Sequence, residues 1–494
     1  MFILALLCAS PSWANNAPDL TPAQAALAAY APTATRTIAA RPPVTTERRT
    51  TLAGRTVVYR ASVGEWPVRS PDGTIVGVVV TESYVVPSLA GAKRPVTIVY
   101  NGGPGASSWP LQMEGIGPQR YDASSGTFTD NPDSLLDVTD LVFVDPLGTG
   151  ASFPLAGQDA SAVWNTRGDA RSIIGVVDGW RRANKRSDAP VYLLGESYGT
   201  LRNAAILHAD AETPRLNIAG VVMLSMFLAT HVDADIEAIN RLPSLAAAAY
   251  AHGARRVPAA SAEQAYADAL RFARTQYAAA LQEGSALSQE DTHAVAEAMS
   301  DQIGVPASVL EDAHLRIDRR AFAHALALPV GGTHVGSLDA RIVGSKEIDG
   351  LQDPYSDPAM TLGKRSPLLM ERYLSGLGYT MAGSYRPLNL SINQDWTFAA
   401  PTVSEDGSGE GVLDVVPWLV EAMTANPRLR LFTAGGYFDT VTPYALGEYQ
   451  LNHSEIARSR WTAHAYPAGH GIAEDLPQRA RLAADLRAFI AGAH

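Results

Sequence analysis

The sequence predicts an α/β protein with a mostly parallel central sheet, helices on both faces and a largely helical cap inserted between two halves of the core. Two observations carry this. Short Val/Ile/Leu runs such as RPVTIVY, DLVFVD, PVYLLG and NIAGVVML are apolar throughout, as strands buried on both faces must be. Helix-compatible stretches separate them, the longest running from about Ala160 to Asn184.

The elements follow in order. RTVVYRASV and TIVGVVVTESYVV flank the turn signal SPDG and predict a hairpin. The strand–helix rhythm begins at Arg94 and breaks after Met226. From about Asp233 to Leu328 the chain is Ala-rich and helical, and its Ala and aromatic stripe is read as packing. Residues 331–402 are loop-rich. The rhythm then resumes with the helix VVPWLVEAMTAN, the strands LRLFTAGG and WTAHAYPAG, and a closing helix from about Pro477 to Ala491. The expected organisation is a signal peptide over 1–14, an N-terminal arm over 15–50, core over 51–228, cap and loop-rich region over 229–405, and core again over 406–494.

The signal peptide rests on the apolar run Phe2–Ala9, the helix-breaking Pro11, and small residues Ser12 and Ala14 at a cleavage position, although no Lys or Arg precedes the run. A secreted or periplasmic location follows, with no integral membrane segment after cleavage. Cys8 is the single cysteine, so the mature chain is expected to carry no disulfide and to rely on a large core. A net charge of −11 argues against nucleic acid as a partner. No HExxH or Cys/His ligand spacing suggests a metal, no GK[ST] follows the Gly-rich loop NGGPG, and no cofactor is expected.

GESYG, Gly195–Gly199, is a weak signal in a chain with 41 glycines. Its context is stronger, because it ends an apolar strand and opens a helix. At such an elbow Ser197 projects above the sheet, and the Tyr198 N–H can face a developing oxyanion. A serine hydroxyl needs a base, and the base an orienter. Asp439 in TAGGYFDTVTPY and His470 in YPAGHGI each follow a core strand, in the order Ser, Asp, His. His464 falls inside a strand and is read as a packed or surface residue. NGGPGASS, Asn101–Ser108, supplies a loop through which a backbone N–H can complete an oxyanion hole.

Together these motifs resemble the serine carboxypeptidases of the α/β-hydrolase fold, particularly their bacterial branch. The likeness covers about Arg94–Leu224 and Leu429–Ile472, with NGGPGASS, FVDPLGTGAS, GESYG, the aspartate after TAGGYF and the final GH carrying it. SLDARIVG and INQDW are similar more loosely. The resemblance implies a triad of Ser197, Asp439 and His470, oxyanion donors at Gly103 and Tyr198, and recognition of a substrate's terminal carboxylate by Asn101, Gly102 and Glu196. A carboxylate beside a glutamate requires a shared proton, so binding is expected to favour mildly acidic solution. The family's second glutamate falls, by register from Gly117–Pro118, at Gly115, with Glu114 one residue early. Ala106 stands where the eukaryotic branch commonly has cysteine. The expected activity is release of C-terminal amino acids from peptides through an acyl-enzyme. The alternatives are an esterase or acyltransferase on the same triad and, from another class, a catalytically silent binding protein.

Overall fold

The computed structural model describes residues 40–87, 93–122, 124–344, 357–360, 366–398 and 412–492. The expected signal peptide and most of the expected arm lie outside them. The central sheet contains, in chain order, β1 (Val44–Leu52), β2 (Arg55–Arg69), β3 (Ile75–Val85), β4 (Val96–Tyr100), β5 (Asp140–Asp145), β6 (Val191–Glu196), β7 (Ile218–Leu224), β8 (Arg430–Gly436) and β9 (Trp461–Tyr466). Their spatial order is β1-β2-β3-β5-β4-β6-β7-β8-β9, with the short strand Phe153–Pro154 also on β3. The first three pairings are antiparallel and the five from β5 to β9 are parallel. This is the α/β-hydrolase arrangement that the sequence predicts.

One expectation needs correction. The described end of the predicted arm is strand β1, paired with β2 from Val44↔Val63 to Leu52↔Arg55. VTTERRTTL carries polar residues on both faces, and most of its side chains are exposed or half-buried. Edge position, rather than an apolar face, therefore defines this strand.

The parallel strands inside the edge strand β9 are buried on both faces because alternate residues feed two cores. Val191 and Leu193 of β6 join one, and Tyr192 and Leu194 join the other. Helices α1 (Thr166–Ala183) and α2 (Tyr198–Glu212) pack together on the first core. The side chain of Asn165 caps α1 by accepting from Gly168 N–H. Between β7 and β8 lie α3 (Ala234–Ala251), α4 (Ala262–Phe272), α5 (Gln289–Ile303) and α6 (Arg319–Ala327). They share a separate apolar cluster that includes Leu245, Met299 and Phe322. The cap stripe read as packing is thus buried side chain. After β8, α7 (Tyr444–Asn452) intervenes before β9, and α8 (Leu476–Ala491) closes the fold. Among the described residues, no helix is long and apolar enough to cross a membrane.

Candidate active site

Ser197 sits at the turn from β6 into α2 with φ +59° and ψ −126°, a conformation that side-chain-bearing residues rarely adopt. Neighbouring residues impose it. A Cβ on Gly195 would lie 2.1 Å from the Gly199 carbonyl oxygen, so the elbow closes only with glycine there. Serine at a helix start normally caps the first turn. Here the Ser197 hydroxyl makes no capping bond and lines a cavity of about 630 Å³ shared with His470.

His470 and Asp439 are brought together at the ends of β9 and β8. His470 Nδ1 lies 2.7 Å from Asp439 Oδ2. The other carboxylate oxygen of Asp439 accepts the backbone N–H groups of Val441 (2.9 Å) and Thr442 (3.0 Å). Thr442 Oγ1 also donates to Asp439 Oδ2 at 2.6 Å. The main chain of His470 is fixed as well, since its backbone N–H donates to Leu338 O (2.7 Å) and its carbonyl accepts from Ser225 Oγ (2.6 Å). Burial alone would raise Asp439, but His470 and Thr442 reverse this and hold it below its ordinary value. Burial opposes the imidazolium, yet Asp439 and Glu196 push His470 up to about 9. No hydrogen bond joins Ser197 to His470 among the described residues. Such bonds commonly tighten only when substrate fills the site.

The NGGPG loop lies against this elbow. A Cβ on Gly102 would sit 2.5 Å from Tyr198 N, so only glycine allows the approach. Gly103, at φ +96°, also lines the cavity. Behind both lies Arg202, fully buried and ion-paired to Asp169 at 2.6 Å. It donates to Asn101 O at 2.6 Å and stacks on the rings of Tyr100 and Tyr198, 5.0 Å from each centroid. Arg202 therefore ties the glycine loop to the elbow, a position to which no sequence motif pointed. Arg202→Met is expected to cost about 3–5 kcal/mol of stability by stranding Asp169. The double variant D169L/R202M should recover much of that loss, as thermal melts of the three proteins will show.

The carboxylate-binding expectations meet a cluster of acids. Asn101 Nδ2 donates to Glu196 Oε1 at 2.7 Å, while Asn101 Oδ1 and Glu196 Oε2 are buried without partners among the described residues. Burial pushes Glu196 up to about 7. Gly115 has no side chain to offer the cavity. Its carbonyl accepts from Asn131 Nδ2, whereas Glu114 lines the cavity. Pro110–Ile116 is a π-helical turn, closed by Gly117 N–H on Gln112 O at 3.0 Å. A π-turn accommodates one extra residue, which explains why Glu114 is early by register yet reaches the cavity. Glu114 and Glu474 both line the cavity, and burial pushes both above their ordinary value. Sequence reading missed Glu474. Its signal was Gly471 beside His470, since a side chain there would lie 2.7 Å from Glu474 Oε1. His464 lies on β9, stacked on Phe432 with centroids 4.6 Å apart. Among the described residues, no group of three His, Cys, Asp or Glu could hold a metal.

Fold and elbow together define an α/β hydrolase with a serine at the strand–helix turn. The chain matches the serine carboxypeptidase family over residues 84–283. That stretch holds Ser197, and the match supports a serine-type hydrolase of the carboxypeptidase kind. It is similar in structure to Kex1Δp, a prohormone-processing carboxypeptidase from Saccharomyces cerevisiae, with TM-score 0.55 and 13% identity over 88% of this chain and 91% of that one. It is similar to a lesser degree to a thermophilic esterase from Thermogutta terrifontis, with TM-score 0.36 and 12% identity over 87% of this chain and 99% of that one.

Proposed function

We propose that the protein releases C-terminal amino acids from peptides through an acyl-enzyme on Ser197. His470 acts as base and then acid, Asp439 orients it, and the N–H groups of Gly103 and Tyr198 hold the oxyanion. Asn101, Gly102, Glu196 and Glu114 bind the substrate's terminal carboxylate. Export is part of the proposal and rests on the apolar run Phe2–Ala9.

The observation that carries the exopeptidase reading is the buried acid cluster beside Ser197. Glu196 has one oxygen tied to Asn101 and the other without a partner among the described residues. Protonated, that oxygen can donate to a carboxylate; ionised, it repels one. The same proton matters to His470, because each of these two groups feels the other's charge. An ionised Glu196 with a charged imidazolium carries as many protons as the neutral pair. A bound carboxylate selects the neutral pair, since it needs the Glu196 proton, and thereby leaves His470 as free base. The esterase alternative drew on the register gap at Gly115, and Glu114 on the cavity wall removes that support.

The sign of the pH dependence follows. Glu196, raised to about 7, is protonated below that value and loses its proton above it. KM for a blocked dipeptide with a free C-terminus is therefore expected to rise by up to about tenfold per pH unit above 7. KM for its amide or methyl ester should stay flat. Glu196→Gln keeps a donor at all pH values and should flatten the rise for the free acid. Equal kcat/KM for acid, amide and ester from pH 5 to 8 would exclude the carboxypeptidase reading in favour of an esterase.

A further inference from the structure

Among the described residues, one cation in the Ser197 cavity has no paired anion. Arg319 opens α6 of the cap and lines the cavity together with Ser197, Glu196 and His470. Among the described residues its guanidinium forms no hydrogen bond or ion pair, and its Nε is fully buried without a partner. An arginine stays charged under all relevant conditions, so this is a half-buried positive charge lacking compensation.

The anions around it are already engaged. Asp357 Oδ2 accepts the N–H groups of Ser337 (2.7 Å) and Leu338 (3.2 Å), and its Oδ1 accepts that of Ala359 (2.9 Å). Asp439 is held by His470, Val441 and Thr442. Glu237 is paired with Arg241, itself a second cation in the neighbourhood. The other arginine of the cavity, Arg341, is neutralised by Asp339 (2.6 Å) and Asp475 (2.7 Å). Burial, followed by the charge of Arg241, lowers the Arg319 pKa, as expected of a cation that lacks a counter-ion.

We infer that Arg319 is a specificity-determining residue that pairs with an acidic side chain of the bound peptide, Glu or Asp at one of the two residues flanking the scissile bond. The guanidinium fork suits a carboxylate in two-pronged geometry. The acid cluster at Glu114, Glu196 and Glu474 already answers to the terminal carboxylate, which leaves a side-chain carboxylate as the ligand for Arg319. This inference rests on the carboxypeptidase reading for the kind of ligand.

The test separates the two by reading binding without cleavage. Protection of Ser197 from a fluorophosphonate label is measured at pH 6 with acetyl-Glu-Phe against acetyl-Gln-Phe, and with acetyl-Phe-Glu against acetyl-Phe-Gln. In the wild type, one Glu peptide is expected to protect at about tenfold lower concentration than its Gln isostere, the discrimination of a charge-assisted pair. In Arg319→Met that ratio should collapse to about one while the Gln peptides protect as before, and Arg319→Lys should keep part of it. The label itself reports that each variant retains a folded site. Ratios near one in the wild type, or a ratio that survives in Arg319→Met, would overturn the inference. Equal weakening of Glu and Gln peptides in Arg319→Met would overturn it too, by assigning Arg319 to the terminal carboxylate. The expected ratios without any peptide cleavage would sink the carboxypeptidase reading, while still showing that Arg319 selects an acidic side chain of a bound peptide.

Discussion

Ser197→Ala is expected to lower kcat by about 10⁶, the scale on which loss of the nucleophile acts in Ser-His-Asp hydrolases. Fluorophosphonate labelling should vanish with it. The fold should be unaffected, because the Ser197 hydroxyl makes no hydrogen bond among the described residues and alanine keeps the same Cβ. The melting temperature should therefore stay close to that of the wild type. Ser197→Gly separates strain from chemistry. At φ +59° a glycine avoids the Cβ clash, so this variant should be equally inactive yet more stable by about 1 kcal/mol. The two serines of the adjacent glycine loop offer no substitute nucleophile: Ser108 is buried with its hydroxyl committed to Asp145 at 2.9 Å, and Ser107 is fully buried. Persistent labelling of Ser197→Ala would place the nucleophile elsewhere.

The elements that read most clearly from the sequence were those set by local pattern. Strands β4 to β8 are runs buried on both faces along nearly their whole length, so their composition alone marks them. The elbow could be placed because backbone contact demands glycine at 195 and crowds a side chain at 199 against Tyr100 O (3.1 Å), and both glycines stand in the sequence beside the serine. What escaped depends on contacts distant in the chain. Strand β1 has no apolar face and exists through its ladder with β2. Helix α7 follows directly on the turn residues VTP, and no pattern in the sequence marks it. Glu474 stands beside Asp475 in a polar loop and looks like a solvated pair until the π-helical turn carries Glu114 to it. Arg319 sits in an Arg-Arg pair at a helix start, the ordinary look of a surface position, and only the placement of the cap on the cavity distinguishes it.

Asp439→Asn is expected to reduce kcat by about 10⁴, the size of effect that follows when the histidine of such a triad is held in the wrong tautomer. The hydrogen bonds in this structure say why asparagine, rather than alanine, is the informative change. Asp439 Oδ1 accepts from Val441 and Thr442 N–H and so builds the turn after β8, a task that the amide oxygen of asparagine can keep. Oδ2 accepts from His470 Nδ1 and Thr442 Oγ1, and an amide nitrogen there would donate instead. Thr442 can answer by rotating its hydroxyl to accept. His470 can answer only by presenting a bare Nδ1, which moves its proton to Nε2, the nitrogen left to take the proton of Ser197. Loss of the aspartate charge also removes one of the influences that raise His470, so its pKa should fall from about 9. A lower pKa by itself would supply more free base, hence faster turnover at acidic pH. The tautomer and the charge thus push the rate in opposite directions. A loss near 10⁴ at every pH from 5 to 8, with slow but measurable fluorophosphonate labelling and an unchanged melting temperature, would show that orientation of His470 dominates. Asp439→Asn retaining a tenth or more of wild-type kcat would remove Asp439 from the triad.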